Sequence, residues 1–313
     1  MAECNVCFRH CRIEEGSKGF CFGRSCRNGQ VVAANYGRLT SIALDPIEKK
    51  PLYRFKPGSR ILSVGSYGCN LRCPFCQNSD ISWDDNVKEY ASEDLGYLQD
   101  DGFTIYASPR MIADQAADLV PKGNIGVAFT YNEPLIGYEF VRDTAKLVKE
   151  RGLNTVLVTN GTASREVLDK IGPYIDAMNI DLKAFTDRFY RELIKGDQDM
   201  VKAFITEAVK ICHVELTTLI IPGENDSEDE IRALSRWVAG LKDVFDRNGE
   251  NNKESGKNSE KNVSKTGKDI PLHITRFFPR FYMADKEPTP VETVYRLAEV
   301  ARENLKYVYE GNV

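Results

Sequence analysis

Short apolar runs alternate with amphipathic stretches along most of the chain. Runs rich in Val, Ile and Leu occupy residues 60–64, 125–129, 154–159, 175–181, 214–221 and 272–275. Each has the length and the β-branched content of a buried strand. Strands that alternate with helices predict a parallel sheet, and about six such units predict an α/β fold, a full or partial (βα)6 barrel. In such a fold the active site lies at the carboxyl ends of the strands.

Two of the intervening stretches carry clear helix signals. In residues 134–151 apolar positions recur every three or four residues, Pro134 suits a first helical turn and Gly152 suits the end of a helix. Residues 227–241 begin with Ser227 and, three residues later, a glutamate, which is the pattern of a capping box. Both segments are therefore predicted to be helices.

Two other segments lack this alternation. Residues 1–58 are rich in cysteine and in turn residues, so they are interpreted as a metal-binding N-terminal module with a connector, followed by a core in residues 59–313. Residues 248–269 hold five Asn, five Lys, three Ser and three Gly, with Val263 the one apolar residue. Such a segment cannot bury enough surface to offset its ordering entropy, so it is predicted to be a disordered insertion in the core.

Composition and charge narrow the class of protein. The 313 residues are 42% apolar with a net charge of −4, which suits a globular protein and argues against a general nucleic-acid binder. No apolar run approaches the ~18 residues that span a bilayer, and the N-terminus lacks the pattern of a secretory signal. The expected location is the cytoplasm, where thiols stay reduced and clustered cysteines usually bind metal.

Three cysteines directly after the first predicted strand carry the most specific signal. Cys69, Cys73 and Cys76 form the pattern C-x3-C-x2-C, with the aromatic Phe75 before the last of them. Three thiolates this close can ligate three irons of a [4Fe-4S] cluster, which normally takes four Cys ligands. The missing ligand leaves one iron open to a substrate or cofactor, as the open position does in catalytic zinc sites. A three-Cys zinc site, or thiols that are merely close, are the alternatives.

At these residues the chain resembles the radical S-adenosylmethionine (SAM) superfamily. The resemblance is to the branch that contains pyruvate formate-lyase activating enzymes, and more closely to the radical SAM member of the AmmeMemoRadiSam group. The segments that carry it are DPIEKKPL at 45–52, SVG at 63–65, GCN at 68–70, CQN at 76–78, FTYNEP at 129–134, TNG at 159–161, NIDLK at 179–183, IPG at 221–223, ND at 225–226 and HITRFF at 273–278.

The resemblance implies a partial (βα)6 radical SAM barrel that holds a [4Fe-4S] cluster and SAM. The reduced cluster would cleave SAM to methionine and a 5′-deoxyadenosyl radical, which abstracts hydrogen from a substrate that the sequence does not name. The resemblance also implies an oxygen-sensitive, oxidoreductase-like enzyme with a flavodoxin or ferredoxin as electron donor. The name of the group further implies an association with Memo-like and other proteins of the system.

The same resemblance assigns site residues on this chain. Cys69, Cys73 and Cys76, here called the first thiol set, would ligate the cluster. The residues carried over to SAM are Phe75 and Gln77 beside the adenine, Asn132 with Glu133, Thr159 and Asn160 at the end of the third strand, Asp181 and Lys183 at the end of the fourth, and His273 on the last. Tyr131 and Asn132 replace the Gly-Gly of the family, which changes how closely the backbone can approach SAM.

Most of these residues also have a plain structural interpretation. Asp181 and Lys183 stand two apart on one strand and so share a face, where they could simply pair. Residues 159–161 could be only a turn, and His273 could be a buried, hydrogen-bonded histidine. Their joint position at strand ends is what favours the functional interpretation.

Four cysteines near the N-terminus form a second candidate metal site. They are Cys4, Cys7, Cys11 and Cys21, here called the second thiol set. A segment of this length lacks the hydrophobic core to fold alone, so a bound metal is a reasonable source of the missing stability. Zinc would make the site structural, and a second [4Fe-4S] cluster would make it an electron relay or substrate anchor. The spacing is not two C-x2-C pairs and leaves both open. Cys26 is interpreted as a spare and Cys212 as a buried core thiol.

Three functional hypotheses follow. The first is a radical SAM enzyme that acts on an unknown substrate, and the second is an activating enzyme that generates a glycyl radical on a partner enzyme. The third is a non-catalytic module in which both thiol sets are structural zinc or Fe–S sites. Glu133, Asp181 and Lys183 at successive strand ends argue against the third, because a structural module needs no polar convergence there.

Overall fold

An eight-stranded sheet lies at the centre of the computed structural model, which describes residues 1–92, 102–246 and 265–313. In that part of the chain the strands are β1 (Ala2–Glu3), β2 (Arg12–Ile13), β3 (Arg24–Arg27), β4 (Gln30–Ala33), β5 (Arg38–Leu39), β6 (Ser41–Pro46), β7 (Arg60–Gly65), β8 (Ile105–Tyr106), β9 (Asn124–Phe129), β10 (Asn154–Thr159), β11 (Ala177–Asp181), β12 (His213–Ile220), β13 (Leu272–Arg276) and β14 (Val308–Gly311). The order across the sheet is β6-β7-β9-β10-β11-β12-β13-β14, and only the β6-β7 pair is antiparallel.

The sheet confirms the predicted α/β class. Its six inner strands, β7 and β9 to β13, coincide with the six apolar runs, as expected for strands that are buried on both faces. The two edge strands were not predicted, because each is only partly buried and lacks the continuous apolar run of an inner strand. Since β6 precedes residue 58, the sheet continues across the boundary that the sequence suggests between module and core.

Helices and short turns connect the strands. In the described residues they are α1 (Ser79–Ser82), α2 (Asp85–Ser92), α3 (Pro109–Asp118), α4 (Tyr138–Glu150), α5 (Arg165–Ile171), α6 (Gln198–Ala208), α7 (Glu228–Ala239) and α8 (Val291–Arg302), with 3-10 turns at Ile47–Lys49, Val120–Lys122, Pro134–Gly137, Gly172–Tyr174, Gly267–Asp269 and Phe281–Met283 and a π turn at Phe189–Leu193. None of the described helices is both long and apolar enough to cross a membrane.

The two predicted helices are present with different ends. Residues 134–151 divide into the turn Pro134–Gly137 and α4, and the Glu133 carboxylate caps that turn. Ser227 caps α7 as predicted, and its hydroxyl accepts from Glu230 N at 3.3 Å. The capping box is only half formed, because the Glu230 carboxylate accepts from a backbone N–H in the loop after β11 instead.

Both faces of the sheet are covered, but one is covered over only part of its area. On the first face, side chains such as Leu157 join the main core beneath the helices. On the second face, Ile47, Leu52 and Phe55 of the connector pack against Val156 and its neighbours on β9 and β11. The connector therefore fills part of the second face and leaves the carboxyl ends of the strands to polar side chains.

The predicted insertion at 248–269 is described only at its C-terminal end. Residues 248–264 lie outside the described residues. For residues 265–269 the prediction of disorder is wrong, because the backbone of Gly267 lies directly against α7. A Cβ added to Gly267 would come within 2.1 Å of the carbonyl oxygen of Val238. Composition alone could not reveal this close approach.

Candidate functional site

All the residues predicted to contact the catalytic cluster and SAM line one cavity of about 580 Å³. They are Cys69, Cys73, Phe75, Cys76, Gln77, Asn132, Glu133, Thr159, Asn160, Asp181, Lys183 and His273. They come from the loops and ends of β7, β9, β10 and β11 and from β13. The cavity therefore lies where α/β barrels place their active sites, and its volume is in the roughly 300–1,000 Å³ range of small-molecule sites.

The first thiol set lies on the cluster loop, residues 66–78, between β7 and α1. Cys76 N donates to Cys73 O at 3.2 Å, and all three thiols border the cavity. All three are free. Burial raises the pKa of each thiol, that of Cys73 to about 12. The Lys183 ammonium acts against this increase in the pKa of Cys73 and Cys76, although burial outweighs it. The ammonium therefore favours the thiolate forms of both residues.

This donor set fits an iron–sulfur cluster. Thiolates are soft ligands, which select iron–sulfur clusters, zinc and Cu(I). Within residues 1–92, 102–246 and 265–313, no three His, Cys, Asp or Glu side chains lie close enough together to hold one metal ion. A four-iron cluster is larger than one ion, so the thiolates around it stand farther apart. Three soft thiolates on one loop are a ligand set that a [4Fe-4S] cluster can use.

Asn132 borders the cavity, but its side chain is engaged with the cluster loop. Its Oδ1 accepts from Ser66 N at 3.0 Å, and its Nδ2 donates to Tyr67 O at 3.1 Å and Gly68 O at 3.0 Å. The structure thus brings Asn132 to the predicted place and gives its amide a positioning task. These bonds hold the cluster loop against the end of β9.

Glu133 is a buried carboxylate with neutral hydrogen-bond donors. It is 3% exposed and accepts from Thr159 Oγ1 at 2.8 Å, Asn160 N at 2.8 Å and Leu135 N at 2.9 Å. Burial raises the pKa of Glu133 to about 7 in spite of these bonds. The ammonium group of a ligand would supply the positive charge that none of these donors carries.

Thr159 and Asn160 do more than form a turn. Asn160 Nδ2 donates to Asn70 Oδ1 at 2.9 Å and lies 3.8 Å from Cys69 Sγ. Asn70 in turn donates to Thr162 Oγ1 at 2.8 Å. These bonds tie the cluster loop to the end of β10, so the position of Cys69 depends on a neighbouring strand.

Asp181 and Lys183 form the pair that the structural interpretation expects. Lys183 Nζ lies 2.7 Å from Asp181 Oδ2, yet both residues also border the cavity. Burial acts to lower the pKa of Lys183, but the nearby Asp181 carboxylate and Cys73 thiol outweigh it and raise that pKa. Lys183 therefore stays charged between the acidic side chain and the cluster loop.

His273 is both buried and at the cavity. Its Nε2 lies 2.8 Å from Glu215 Oε2, and its ring meets the Tyr53 ring edge-on with centroids 4.7 Å apart. Glu215 was missed by the sequence analysis, although an acidic residue inside an apolar run was a visible signal. Burial acts to raise the pKa of Glu215, but hydrogen bonds from His213 and His273 outweigh it and lower that pKa to about 2.

A second missed group surrounds Tyr131. Tyr131 has a left-handed backbone with φ 75°, a conformation that favours Gly. Its hydroxyl donates to Asp45 Oδ2 at 2.7 Å, and Lys50 Nζ lies 2.8 Å from the same oxygen. Asp45 and Lys50 belong to the DPIEKKPL segment, which carried the resemblance without a role. The group anchors the connector to the cavity wall.

The second thiol set does not reach this cavity. Cys4, Cys7, Cys11 and Cys21 line a separate, smaller cavity on the other side of the cluster loop. Cys26 is outside that set and its thiol lies 3.5 Å from Glu15 Oε2. Cys212 is 2% exposed within the main core, which confirms the prediction of a buried core thiol.

A family model described as the radical SAM superfamily matches residues 63–234, more than half of the chain. The match includes the first thiol set, Glu133, Asp181 and Lys183. It ends before His273 and begins after the second thiol set, so it does not bear on those residues.

Similar proteins agree with the family match. An uncharacterized protein of Methanocaldococcus jannaschii is 34% identical over 313 residues, which cover 99% of this chain and 81% of that protein. The pyruvate formate-lyase 1-activating enzyme of Escherichia coli strain K12 is 27% identical over 192 residues, covering 60% of this chain and 72% of that enzyme. The structure of Streptococcus suis SuiB bound to S-adenosylmethionine has a TM-score of 0.52 at 13% identity, covering 79% of this chain and 48% of that one. This last likeness concerns the fold alone.

Proposed function

The chain belongs to the radical SAM superfamily, and on that premise we propose that it holds a [4Fe-4S] cluster and SAM in the cavity at its strand ends and abstracts hydrogen from a substrate. The convergence of unlike groups on one cavity carries the proposal. Three free thiols from one loop face a buried carboxylate after β9 and an ion pair at the end of β11. A purely structural metal site would need the thiols only.

When bound, a reduced cluster with an open iron would supply the chemistry, the reductive cleavage of SAM to methionine and a hydrogen-abstracting 5′-deoxyadenosyl radical. The protein supplies ligands and orientation. The first thiol set ligates three irons and leaves the fourth open. The charge of Lys183 offsets part of the negative charge of the thiolates. Asn132 and Asn160 hold the loop in place through the hydrogen bonds described above.

The polar residues of the cavity orient SAM. Glu133 accepts a hydrogen bond from the SAM ammonium, which brings a cation to a buried carboxylate. Asp181, whose side chain is 31% exposed, remains open to the ribose hydroxyls beside Lys183. Phe75 and Gln77 border the cavity on the cluster loop, where they would contact the adenine. His273 faces the ligand with its ring fixed by Glu215.

The reaction needs one electron from outside the protein. A flavodoxin or a ferredoxin would serve as the donor, since each carries one electron at low potential. The association with Memo-like proteins stays a prediction of the sequence. The cytoplasmic location is likewise a prediction.

Electron paramagnetic resonance (EPR) spectroscopy tests the proposed site. SAM added to the anaerobically reconstituted, dithionite-reduced protein is expected to change the cluster signal, because SAM binds at the open iron. The first-set variant, in which Cys69, Cys73 and Cys76 are replaced by Ala, should lose the SAM-sensitive signal. Cys212→Ala removes a buried thiol that is absent from the cavity and should keep it. A wild-type signal that SAM leaves unchanged would contradict the proposal.

Activation of a glycyl-radical enzyme is a second candidate function. The 27% identity to the pyruvate formate-lyase 1-activating enzyme of E. coli, over 60% of this chain, favours it. The test uses pyruvate formate-lyase as the probe, mixed anaerobically with this protein, SAM and a reductant. A glycyl radical signal on the probe would support this second function. SAM cleavage without that signal would exclude pyruvate formate-lyase as the partner and leave the first candidate.

A further inference from the structure

The second thiol set is assembled by the first two strands and the turn that follows them. β1 pairs with β2, and Cys4 N donates to Cys11 O at 2.9 Å, so these two residues face each other across a hairpin. Cys7 lies in the connection between the strands, and Cys21 comes from a later turn. All four thiols border one cavity, and none of the four is in a disulfide.

The second thiol set touches the cluster loop directly. Gly68 lies so close to it that an added Cβ would be 2.4 Å from Cys21 O. The side chain of Asn70 lies close enough to the Cys7 thiol to act against the rise of its pKa. Gly68 and Asn70 are the two sequence neighbours of Cys69, a member of the first thiol set. The two thiol sets are therefore separated by little more than one stretch of backbone.

Two guanidinium groups lie between the thiol sets. Arg9 Nε donates to Asn70 O at 2.8 Å, and Arg72 Nη1 donates to Cys69 O at 2.9 Å. Both cations lie over the Phe20 ring, 3.4 Å and 3.8 Å from its centroid. Within the described residues, their other hydrogen-bond and cation–π partners are carbonyl oxygens and aromatic rings. Each guanidinium lies near cysteines of both sets.

The two guanidinium groups would be stabilised by negative charge in both thiol sets, one on each side of them. Two neighbouring guanidinium groups repel each other, and partial burial removes much of the water that would screen them. Carbonyl oxygens and ring faces stabilise them only in part. Thiolates in both sets would supply the missing charge, whereas neutral thiols would not. The cations therefore point to metal-bound cysteines at the second set as well as at the first.

We propose that Cys4, Cys7, Cys11 and Cys21 ligate a second [4Fe-4S] cluster, which lies directly behind the SAM-binding cluster. Four thiolates are the usual ligand set of such a cluster. All four thiols are free and border one cavity, so a single metal centre can take all of them as ligands. Because the second thiol set touches the cluster loop, a cluster held there lies next to the SAM-binding cluster. Electrons pass readily between adjacent clusters, so the second cluster can act as an electron relay.

A fully ligated cluster has no open iron and does not bind SAM. It takes one electron from the external flavodoxin or ferredoxin and passes one electron to the SAM-binding cluster, so it returns to its oxidised state. This relay role rests on the proposed function, but the metal site does not. The two can fail separately.

The metal content of the first-set variant tests the site, because this variant keeps the second thiol set intact. After anaerobic reconstitution we expect about four irons and four sulfides per chain, against about eight of each in the wild type. A second-set variant, with Cys7→Ser and Cys11→Ser, should keep about four irons at the first set. Cys26→Ser, the matched control, should retain the wild-type content. Zinc or no metal in the first-set variant would overturn the proposal.

The same variants separate this proposal from the proposed function. If the second-set variant binds no iron while the first-set variant does, the second cluster stands and the SAM-binding cluster fails. Adjacency has its own readout, because two reduced clusters in contact broaden and split each other's EPR signals. We expect that interaction in the reduced wild type and two simple signals in the two variants. A wild-type spectrum equal to the sum of the variant spectra would refute the adjacent placement.

Discussion

Two buried glutamates, Glu133 at the cavity and Glu215 behind the cavity residue His273, have pKa values shifted in opposite directions because their hydrogen-bond donors differ. Glu133 accepts only from neutral groups, and its pKa is raised to about 7 by burial. Glu215 is equally buried, but bonds from His213 and His273 outweigh burial and lower its pKa to about 2. One carboxylate is thus available to a cationic ligand, and the other is committed to holding a histidine.

The pKa of Glu133 makes SAM binding depend on pH. Its carboxylate is ionised above about pH 7 and protonated below, so it can accept from the SAM ammonium only at the higher pH. We expect the SAM dissociation constant to rise up to about tenfold per pH unit below 7. Glu133→Gln should bind at least about tenfold more weakly at pH 8 and lose this pH dependence. Equilibrium dialysis between pH 5.5 and 8.5 measures both, with the exposed Glu287→Gln as control. A pH-independent wild type would contradict the assignment.

Glu215 contributes to stability through four hydrogen bonds. It accepts from Tyr53 N, Arg54 N and the two histidines, so it joins the connector to β12 and β13. Glu215→Gln should lower the free energy of unfolding by about 3 kcal/mol at pH 7. Because the native pKa is below the unfolded value, this contribution is present above about pH 4.5 and is lost as the pH falls toward 2.

Urea denaturation at pH 7 and at pH 4 measures this contribution. The difference between wild type and Glu215→Gln should shrink at the lower pH, while Glu287→Gln should match the wild type at both. An equal deficit at both values would mean that the ionised carboxylate is not the source of the stability.

Residue types and spacing identified which side chains reach the cavity, but not what holds them. The first thiol set was predicted from its spacing after an apolar run, whereas Glu133, Asp181 and His273 were assigned from the family resemblance, and all border the cavity. Glu215 and Asp45 were not predicted as site residues. Their roles depend on contacts between strands that are distant in sequence, such as the 2.8 Å contact of Glu215 with His273 across 58 positions.

At the scale of elements, the junction of the N-terminal module with the cluster loop is the tightest contact near the site. Gly68 has φ +92°, and an added Cβ would meet Cys21 O at 2.4 Å. Gly58 has a similar φ of +78°, but nothing lies within 4 Å of an added Cβ. Alanine at Gly58 would therefore report the cost of the left-handed backbone alone, whereas alanine at Gly68 would add the cost of steric overlap.

Alanine at these two glycines should have unequal effects. Gly58→Ala should cost about 1 kcal/mol of unfolding free energy for its left-handed backbone. Gly68→Ala should cost about 2 kcal/mol more, because the loop and the module must move apart, and it should also reduce the iron bound at the first thiol set. Urea denaturation and iron analysis measure these losses. Equal costs and full iron content in both variants would show that the contact is not tight.

The elements themselves were predicted where the sequence is strongly patterned. Each inner strand coincides with an apolar run, because burial on both faces demands such a run. β6 and β14 were not predicted because an edge strand is paired on one side only and need not carry a continuous apolar run. The predicted helix at 134–151 is interrupted because its first turn closes around the Glu133 side chain, a contact that periodicity does not register.

At the scale of the whole molecule, the N-terminal module and the barrel form one structure around the metal sites. The module shares core residues such as Cys4 and Ile13 with the barrel, and β6 extends the sheet. Metal binding at either thiol set should therefore stabilise the complete fold. This coupling is expected because cluster ligands are brought together only in the folded state.

Removal of the clusters should lower the melting temperature of the entire chain. We expect a drop of roughly 5 °C or more when the reconstituted protein is stripped with a chelator and an oxidant under argon. The first-set variant should show a smaller drop, since it has only the second cluster to lose. Differential scanning calorimetry measures the shift. A melting temperature that does not change on stripping the wild type would contradict the coupling.

The central claim is that the first thiol set supports reductive cleavage of SAM. The most direct measurement is the amount of 5′-deoxyadenosine formed when reconstituted protein is incubated anaerobically with SAM and dithionite. The account predicts 5′-deoxyadenosine from the wild type and from Cys212→Ala, and none above background from the first-set variant. If the iron-loaded wild type leaves SAM intact, or if the first-set variant cleaves it equally well, the account is contradicted.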